Sequence, residues 1–316
     1  MDSLRTFIKK INTDARDAGI GGECLADIRY DEPMSAHTTF RVGGPADVWV
    51  RPLGGALPAY ASLLLDAAGK EGIKVFILGG GANILVADRG IRGIVLDTGG
   101  WKGMDRGEGV AFRSGTPVDE ALEAAAAAGL GALEFLAGMP GTIGGAVWMN
   151  ARCYDTSVSD VLLAVEILDE GFNRTWIPFR AEDFAYKKSP FQGRDVLILA
   201  ACFALNPEPE AAIRAKMEEH HRDREAKGHY RFPSAGSAFK NNRAFGKPTG
   251  RIIDELGLKG LSRGGAAVAP WHGNIIINTG NAAAADLRVL MEEIAARVRA
   301  ALGIELENEI LFIGDY

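Results

Sequence analysis

Ala137-Gly-Met-Pro-Gly-Thr-Ile-Gly-Gly-Ala-Val-Trp-Met-Asn-Ala151 is the stretch from which the rest of this chain is best read. Gly138, Gly141, Gly144 and Gly145 crowd around Pro140 and run straight into apolar residues. Glycine serves where backbone turns sharply or approaches something closely, because it has no Cβ to block either. Exposed N–H groups in such a loop form a concavity suited to an anion, so a phosphate-bearing ligand is the first expectation. A tight surface turn would account for the stretch in isolation, so its meaning rests on what surrounds it.

The chain has 316 residues, enough for about two domains with cores of their own. Hydrophobic residues at 47% and charged residues at 24% are those of an ordinary globular protein. Its 40 glycines exceed the usual share of about 7% and cluster without a collagen-like period, which points to tight loops around a ligand. The net charge of −6 supplies no global positive field to gather a nucleic acid. Cys24, Cys153 and Cys202 are odd in number and lack Cys-x-x-Cys spacing. Neither a disulfide framework nor a metal site is expected, and a reducing compartment fits. The first ten residues lack an apolar signal core, and no run approaches the ~20 apolar residues that span a bilayer. A cytoplasmic protein with no membrane or nucleic-acid partner is expected.

Short apolar or β-branched runs bounded by glycine predict strands at 47–50, 74–78, 93–97, 110–113, 162–168, 173–178 and 196–205. Helices are expected over 56–69 and from Thr116-Pro117 onward, with Thr116 as cap, Asp119 as its capping-box partner, and the alanine run 124–128 inside. Composition shifts at Asn206-Pro-Glu-Pro-Glu210, and a charged, solvated helix follows over 211–227. His220 and His221 on it point about 100° apart and read as surface residues, not metal ligands. Beyond lie a helix at 250–256, strands at 265–269 and 274–278, and a helix from Asn281. Leu287, Leu290, Met291, Ile294, Val298 and Leu302 give that last helix a core face. A strand at 304–313 closes the chain. This irregular alternation, without internal repeats, predicts an α+β fold and not a doubly wound one.

Three more segments share the chemistry of the first: Thr39-Phe-Arg-Val-Gly-Gly-Pro45, Leu78-Gly-Gly-Gly-Ala-Asn-Ile-Leu-Val86 and Pro233-Ser-Ala-Gly-Ser-Ala-Phe-Lys-Asn241. None matches Gly-x-x-x-x-Gly-Lys-Ser/Thr, and none is a Gly-x-Gly-x-x-Gly turn opening a helix. What remains is a pyrophosphate held by two separate glycine loops, away from any helix N-terminus.

In this order, the four segments resemble those of the UDP-N-acetylenolpyruvoylglucosamine reductase family. That family carries Thr-[aromatic]-Arg-x-Gly-Gly-Pro, Gly-Gly-Gly-Ser-Asn-Leu-Leu-Val, Gly-Ile-Pro-Gly-Ser-Val-Gly-Gly-Ala and Gly-Ser-x-Phe-Lys-Asn. Its closing strand is similar to Leu306-Glu-Asn-Glu-Ile-Leu-Phe-Ile-Gly314 here. The resemblance runs from about Thr38 to Gly314, and the short span between Asn241 and Gly250 matches the form that lacks an inserted substrate-covering loop. It implies a two-lobed FAD-binding domain of the vanillyl-alcohol oxidase (PCMH) type over 1–205, with lobes of about 1–70 and 71–205. A smaller α+β substrate domain would follow over 206–302, and a strand over 303–316 would carry a catalytic glutamate.

The resemblance further implies non-covalent FAD, NADPH as reductant, and reduction of UDP-N-acetylglucosamine enolpyruvate to UDP-N-acetylmuramate in peptidoglycan synthesis. Hydride addition to the β-carbon of an enol ether leaves negative charge at the α-carbon and its carboxylate. That charge needs preorganised cations or donors and then a proton. Ser237 matches the family's proton donor. Glu309 matches its carboxylate, although Glu305, Glu307 and Glu309 alternate onto one strand face and spacing alone does not choose among them. The family's Tyr-Arg-x-Ser reads Tyr186-Lys-Lys-Ser189 here, which puts Lys187 where arginine is expected. Lysine keeps the charge and loses the planar grip on a carboxylate; Lys188 would serve only after a register change. Cofactor contacts fall on Arg41, Gly43, Gly44, Gly79, Gly80, Gly81, Ala82, Asn83, Gly138, Pro140, Gly141, Thr142, Gly144, Gly145 and Ala146. Substrate contacts fall on Tyr186, Arg224, Lys227 and Asn241.

The chain departs from the family pattern at three further places. Ala82 replaces a serine, His229 a proline, and Arg152-Cys-Tyr-Asp155 stands for Gly-Ala-Tyr-Gly. Arg152 is then a candidate extra cation beside flavin or substrate. Another oxidoreductase on the same flavin fold, or a flavin-binding regulatory homologue with reduced catalysis, are the alternatives.

Overall fold

In the computed structural model, which describes residues 2–20, 25–107 and 109–316, the chain divides into two units. Cys24 lies outside the described residues, while Cys153 and Cys202 are free thiols. One unit comprises residues 1–30, 47–80 and 93–222, the other 31–46, 81–92 and 223–316. Among the described residues no helix is long and apolar enough to cross a membrane, and no His, Cys, Asp and Glu cluster could hold a metal ion.

The first unit opens with helix α1 (Asp2–Asp17), which sequence reading passed over. Its buried residues Phe7, Ile8, Ile11 and Ala15 recur at helical spacing and pack with Tyr60 and Leu64 of α2 (Leu57–Glu71). Beside them lies a sheet ordered Ala26–Pro33, Pro45–Pro52, Ile91–Asp97, Val75–Leu78, whose last two strands are parallel. Strands on both sides of residue 70 therefore share one sheet. A second, antiparallel sheet runs Arg174–Pro178, Leu162–Leu168, Leu197–Phe203, Val110–Arg113, Met104–Arg106. On it pack α3 (Val118–Ala127) and the short α4 (Ile143–Trp148). The alanine run lies within and just beyond α3, where Ala125 and Ala126 are buried.

Two local expectations change here. Thr116 does not cap α3; its Oγ1 accepts a hydrogen bond from Gly103 N–H (3.0 Å), and Pro117 takes the cap position without a side-chain bond. Asp119 is instead used across the fold, accepting from Gly138 N–H at 2.9 Å. The glycine stretch is also not all loop, because α4 begins within it at Ile143. Val147 and Ile143 are fully buried, and that burial outweighs the poor helix propensity of Gly144 and Gly145. Helix α5 (Glu210–Ala226) buries Ile213 and Met217 and otherwise carries ion pairs such as Arg214–Glu210 and Arg222–Glu218. His220 is half-buried under the Tyr154 ring, with centroids 4.1 Å apart.

In the second unit, α6 (Thr249–Glu255) and α7 (Ala284–Leu302) pack with the three-stranded sheet Ser262–Arg263, Ala266–Val268, Ile276–Asn278. The expected face of α7 is the core, except for Leu302, which is exposed. The closing strand is shorter than the sequence predicts: only Leu311–Ile313 pairs, in parallel, with Ile84–Val86. Upstream, Glu305 and Glu307 are exposed and bind Arg299 and Lys240, while backbone bonds from Lys240 N–H to Glu307 carbonyl oxygen (2.8 Å) and from Glu309 N–H to Ala238 carbonyl oxygen (2.9 Å) tie the stretch to 238–240.

Asp88, just after Ile84–Val86, accepts from Ala284 N–H (2.8 Å) and Ala285 N–H (2.9 Å) at the start of α7. A carboxylate there satisfies orphan donors and complements the helix dipole. Asp88→Ala is expected to lower stability by about 1–2 kcal/mol, read as a shifted urea midpoint at unchanged slope. Asp88→Asn should lose clearly less.

Candidate active site

Two glycine segments of the first unit touch backbone to backbone. A Cβ on Gly80 would lie 2.6 Å from Gly141 Cα, and one on Gly79 would lie 2.8 Å from Thr142 Oγ1. Gly144 N–H donates to Ser114 carbonyl oxygen at 2.8 Å, and a Cβ on Gly144 would stand 2.7 Å from Ser114 Cβ. These three glycines are required by the protein itself. Gly145 differs: it is exposed, and the nearest atom to its notional Cβ is Thr142 Oγ1 at an ordinary 3.7 Å. Nothing in the chain explains a helical glycine at that position, where alanine would be better by about 1 kcal/mol. Pro140 is exposed nearby and Ala146 is buried, while Gly138 (φ 71°) and Gly141 (φ 125°) make the bends. Among the described residues, the buried Oγ atoms of Ser114 and Thr142 have no hydrogen-bond partner. An unmet buried hydroxyl costs about 1–3 kcal/mol, so a polar ligand at this cradle suits them.

The C-terminus of α4 also builds the cationic turn. Ser189 Oγ (2.7 Å) and Gln192 Nε2 (2.8 Å) both donate to Trp148 carbonyl oxygen. Asn150 Nδ2 donates to Ala185 carbonyl oxygen at 2.9 Å, and Gln192 Nε2 also reaches Lys187 carbonyl oxygen at 3.2 Å. Ala185 and Lys188 bridge across the turn, with Lys187 at φ 56°. A lysine held in this left-handed region carries strain, which the surrounding bonds must hold in place. Lys187 is half-buried; Tyr186 and Lys188 are exposed. Arg152 does not reach outward as a spare cation. It binds Asp155 Oδ1 (3.0 Å) and Ser157 Oγ (3.3 Å) within its own hairpin, whose turn residues Tyr154 and Asp155 both have positive φ.

In the second unit, Gly81 (φ 61°) allows His37 carbonyl oxygen to lie 1.9 Å from where a Cβ would stand. Thr39 N–H donates to Gly81 carbonyl oxygen at 3.1 Å. A Cβ on Gly44 would strike Asp88 carbonyl oxygen at 2.0 Å, and one on Gly43 would meet Val86 Cβ at 2.8 Å. Thr38 Oγ1 donates to Val42 carbonyl oxygen (2.8 Å) around Arg41, which is exposed at φ 55°. Thr39 Oγ1 is a further buried hydroxyl without a partner among the described residues. Ala82 and Asn83 follow, both half-buried.

The same unit carries Ser237 and Glu309 on neighbouring backbone. Ser237 bridges Ile275, Phe239 bridges Asn308, and Glu309 N–H donates to Ala238 carbonyl oxygen at 2.9 Å. Of the three glutamates, Glu309 alone is buried, at 8% exposure. Among the described residues no hydrogen bond engages the Ser237 hydroxyl, so it is not a turn hydroxyl tied to its own backbone. Asn274 pins this segment: its Oδ1 accepts from Phe239 N–H (3.0 Å) and its Nδ2 donates to Phe239 carbonyl oxygen (2.8 Å). No sequence signal marked Asn274, nor Asn150 and Gln192.

Arg224 is buried at 8% exposure, whereas Lys227 is exposed and paired with Asp223 at 2.6 Å. Asn241 accepts from Thr249 N–H (2.9 Å) at the start of α6, which occupies its carbonyl end. His229, whose ring centroid is 6.4 Å from that of His272, is held down at about 4 by burial and by the neighbouring Arg224, His272 and Lys227 charges. His272 is lowered as well, chiefly by burial. Both rings are neutral at pH 7. Gly228 before them (φ 75°) lies flat on Trp271, whose Nε1 would be 2.5 Å from any Cβ.

A model described as the UDP-N-acetylenolpyruvoylglucosamine reductase C-terminal domain matches residues 228–313, and one described as an FAD binding domain matches 61–171. A UDP-N-acetylenolpyruvoylglucosamine reductase of Treponema denticola is 40% identical over 92% of this chain and 94% of its own. That of Borreliella burgdorferi is 39% identical over 99% and 98%. The chain belongs to this reductase family. The crystal structure of the Thermus caldophilus reductase superposes with a TM-score of 0.75 at 32% identity, covering 91% of this chain and 98% of that one. The α+β flavin fold and the FAD cofactor follow from this membership and from the FAD-domain match.

The histidine next to the proposed phosphate cations has a consequence for stability. Its folded-state value lies below the ordinary 6.5, so the unfolded chain takes up a proton first as pH falls. The contribution is complete above about pH 6.5 and is lost progressively toward pH 4. A melting series from pH 7.5 to 4.5 should show a shallower loss for His229→Gln than for the parent.

Proposed function

We propose that this protein uses NADPH to reduce UDP-N-acetylglucosamine enolpyruvate to UDP-N-acetylmuramate, in the cytoplasm, without membrane or nucleic-acid partners. The observation that carries the proposal is the pairing of Ser237 and Glu309 on adjacent backbone, with the glutamate buried and the serine hydroxyl unengaged. Residues 206–302 are proposed as the substrate domain, and 303–316 as the segment that returns Glu309 to it.

Bound FAD supplies a hydride carrier between NADPH and the β-carbon of the enol ether. Ser237 then gives its hydroxyl proton to the α-carbon, so that hydride and proton together saturate the double bond. Serine is a weak acid, but the carbanion it meets is a far stronger base. Glu309 sits at the substrate carboxylate, and Lys187 contributes positive charge where the α-carbanion develops. Its turn is held by Ser189, Gln192 and Asn150, which restores some of the order that an arginine fork would bring. Tyr186, Arg224, Lys227 and Asn241 are proposed to receive the sugar nucleotide diphosphate. Arg41, Gly43, Gly44, Ala82, the Asn83 backbone, and the glycines of both segments with Pro140, Thr142 and Ala146 are proposed to receive the cofactor, with Gly145 presenting open backbone to it.

The purified protein should be yellow, bleach with NADPH under anaerobic conditions and regain its colour on adding UDP-N-acetylglucosamine enolpyruvate. Bleaching without reoxidation by this substrate would assign the fold to a different reaction. Ser237→Ala should leave bleaching intact and slow reoxidation by about 10²–10⁴-fold in single-turnover stopped flow. Gly145→Ala should melt at or above the parental temperature while holding FAD roughly tenfold more weakly in equilibrium dialysis. Gly80→Ala, with 2.6 Å to Gly141, should instead lose about 2–4 kcal/mol of stability.

A further inference from the structure

Asn83 stands in the second glycine segment, where the family resemblance implies a cofactor contact, and its side-chain amide is bonded to the closing segment of the chain. Its Nδ2 donates to Glu309 carbonyl oxygen at 2.9 Å, and its own carbonyl oxygen accepts from Leu311 N–H at 3.1 Å. The two bonds straddle Ile310, which is buried at 2% exposure. The Glu309 peptide is thus held from both sides: its N–H by Ala238, next to Ser237, and its carbonyl by Asn83. The parallel pairing of Leu311–Ile313 with Ile84–Val86 begins one residue beyond Asn83. Without the side-chain bond, the ladder would stop short of Glu309. The segment before it is tied by the backbone bond from Lys240 N–H to Glu307 carbonyl oxygen at 2.8 Å, to which the exposed ion pairs add little.

We infer that Asn83 is a positioning residue for Glu309, setting where its carboxylate stands relative to Ser237. The inference rests on the proposed reductase reaction and adds a residue that acts through Glu309. An asparagine suits this position because a neutral amide donates to a carbonyl, whereas aspartate would offer only acceptors. A displacement of about 1 Å at a reacting group commonly costs on the order of 10²-fold in rate.

The test uses FAD-loaded enzyme and measures the two half-reactions separately. In Asn83→Ala and in the isosteric Asn83→Asp, FAD affinity should stay within about 3-fold and anaerobic bleaching by NADPH within about 3-fold of the parent. Reoxidation by UDP-N-acetylglucosamine enolpyruvate should slow by about 10–100-fold, and its pH profile should move toward that of Glu309→Gln. Asn83→Gln, which keeps the amide on a longer stem, should recover part of the rate. The inference is overturned if FAD affinity falls in step with reoxidation, which makes Asn83 a cofactor ligand, or if reoxidation and its pH profile are unchanged. Failure of the parental enzyme to be reoxidised by this substrate would overturn the proposed function and this inference with it, whereas an unaffected Asn83 variant of a parent that is reoxidised overturns the inference alone.

Discussion

The first unit depends on a contact that only backbone can make. Gly79-Gly80 and Gly141-Thr142 meet so closely that a single added carbon would fall 2.6–2.8 Å from its neighbour. Interiors at this density do not absorb such a carbon cheaply. The contact sets the path of the chain into α4, and α4 in turn presents Trp148 carbonyl oxygen to Ser189 and Gln192. One glycine packing event therefore shapes both the proposed cofactor cradle and the turn that carries Lys187. Asp119 adds a tie from α3 to Gly138.

The second unit solves a different problem, that of holding the proposed catalytic pair with segments far apart in the chain. Asn274 grips Phe239 by both backbone groups, and Ala238 grips Glu309. Asn83 grips Glu309 from the other side. Amides suit this work because each offers a donor and an acceptor on a short, stiff stem. Arg41 in this unit is a non-glycine residue in the left-handed region, as Lys187 is in the first unit.

Departures from the family pattern are absorbed locally. Arg152 and Asp155 pair within one hairpin, so the charge they introduce cancels where it stands. His229 replaces a rigid proline with a ring that burial and adjacent cations keep neutral, so no third positive charge is added beside Arg224 and Lys227. Lys187 is the departure with chemical weight, since it alters the group proposed to face the developing charge.

Much of this was legible in the chain itself. The ordered glycine and serine motifs named the family, and the α7 face and most strands followed from periodicity, because burial writes itself into spacing. The sequence could not say which glycines serve the protein and which leave room for a ligand, since that depends on what lies opposite each one. Nor could it tell which of Glu305, Glu307 and Glu309, alike in strand parity, would be buried; the fold buries Glu309. It read Asp119 as the capping-box partner of Thr116 because local spacing was all it had. Local periodicity determines which elements form. Only the tertiary structure, which brings residue 83 to 309 and residue 80 to 141, decides what each polar group is bonded to.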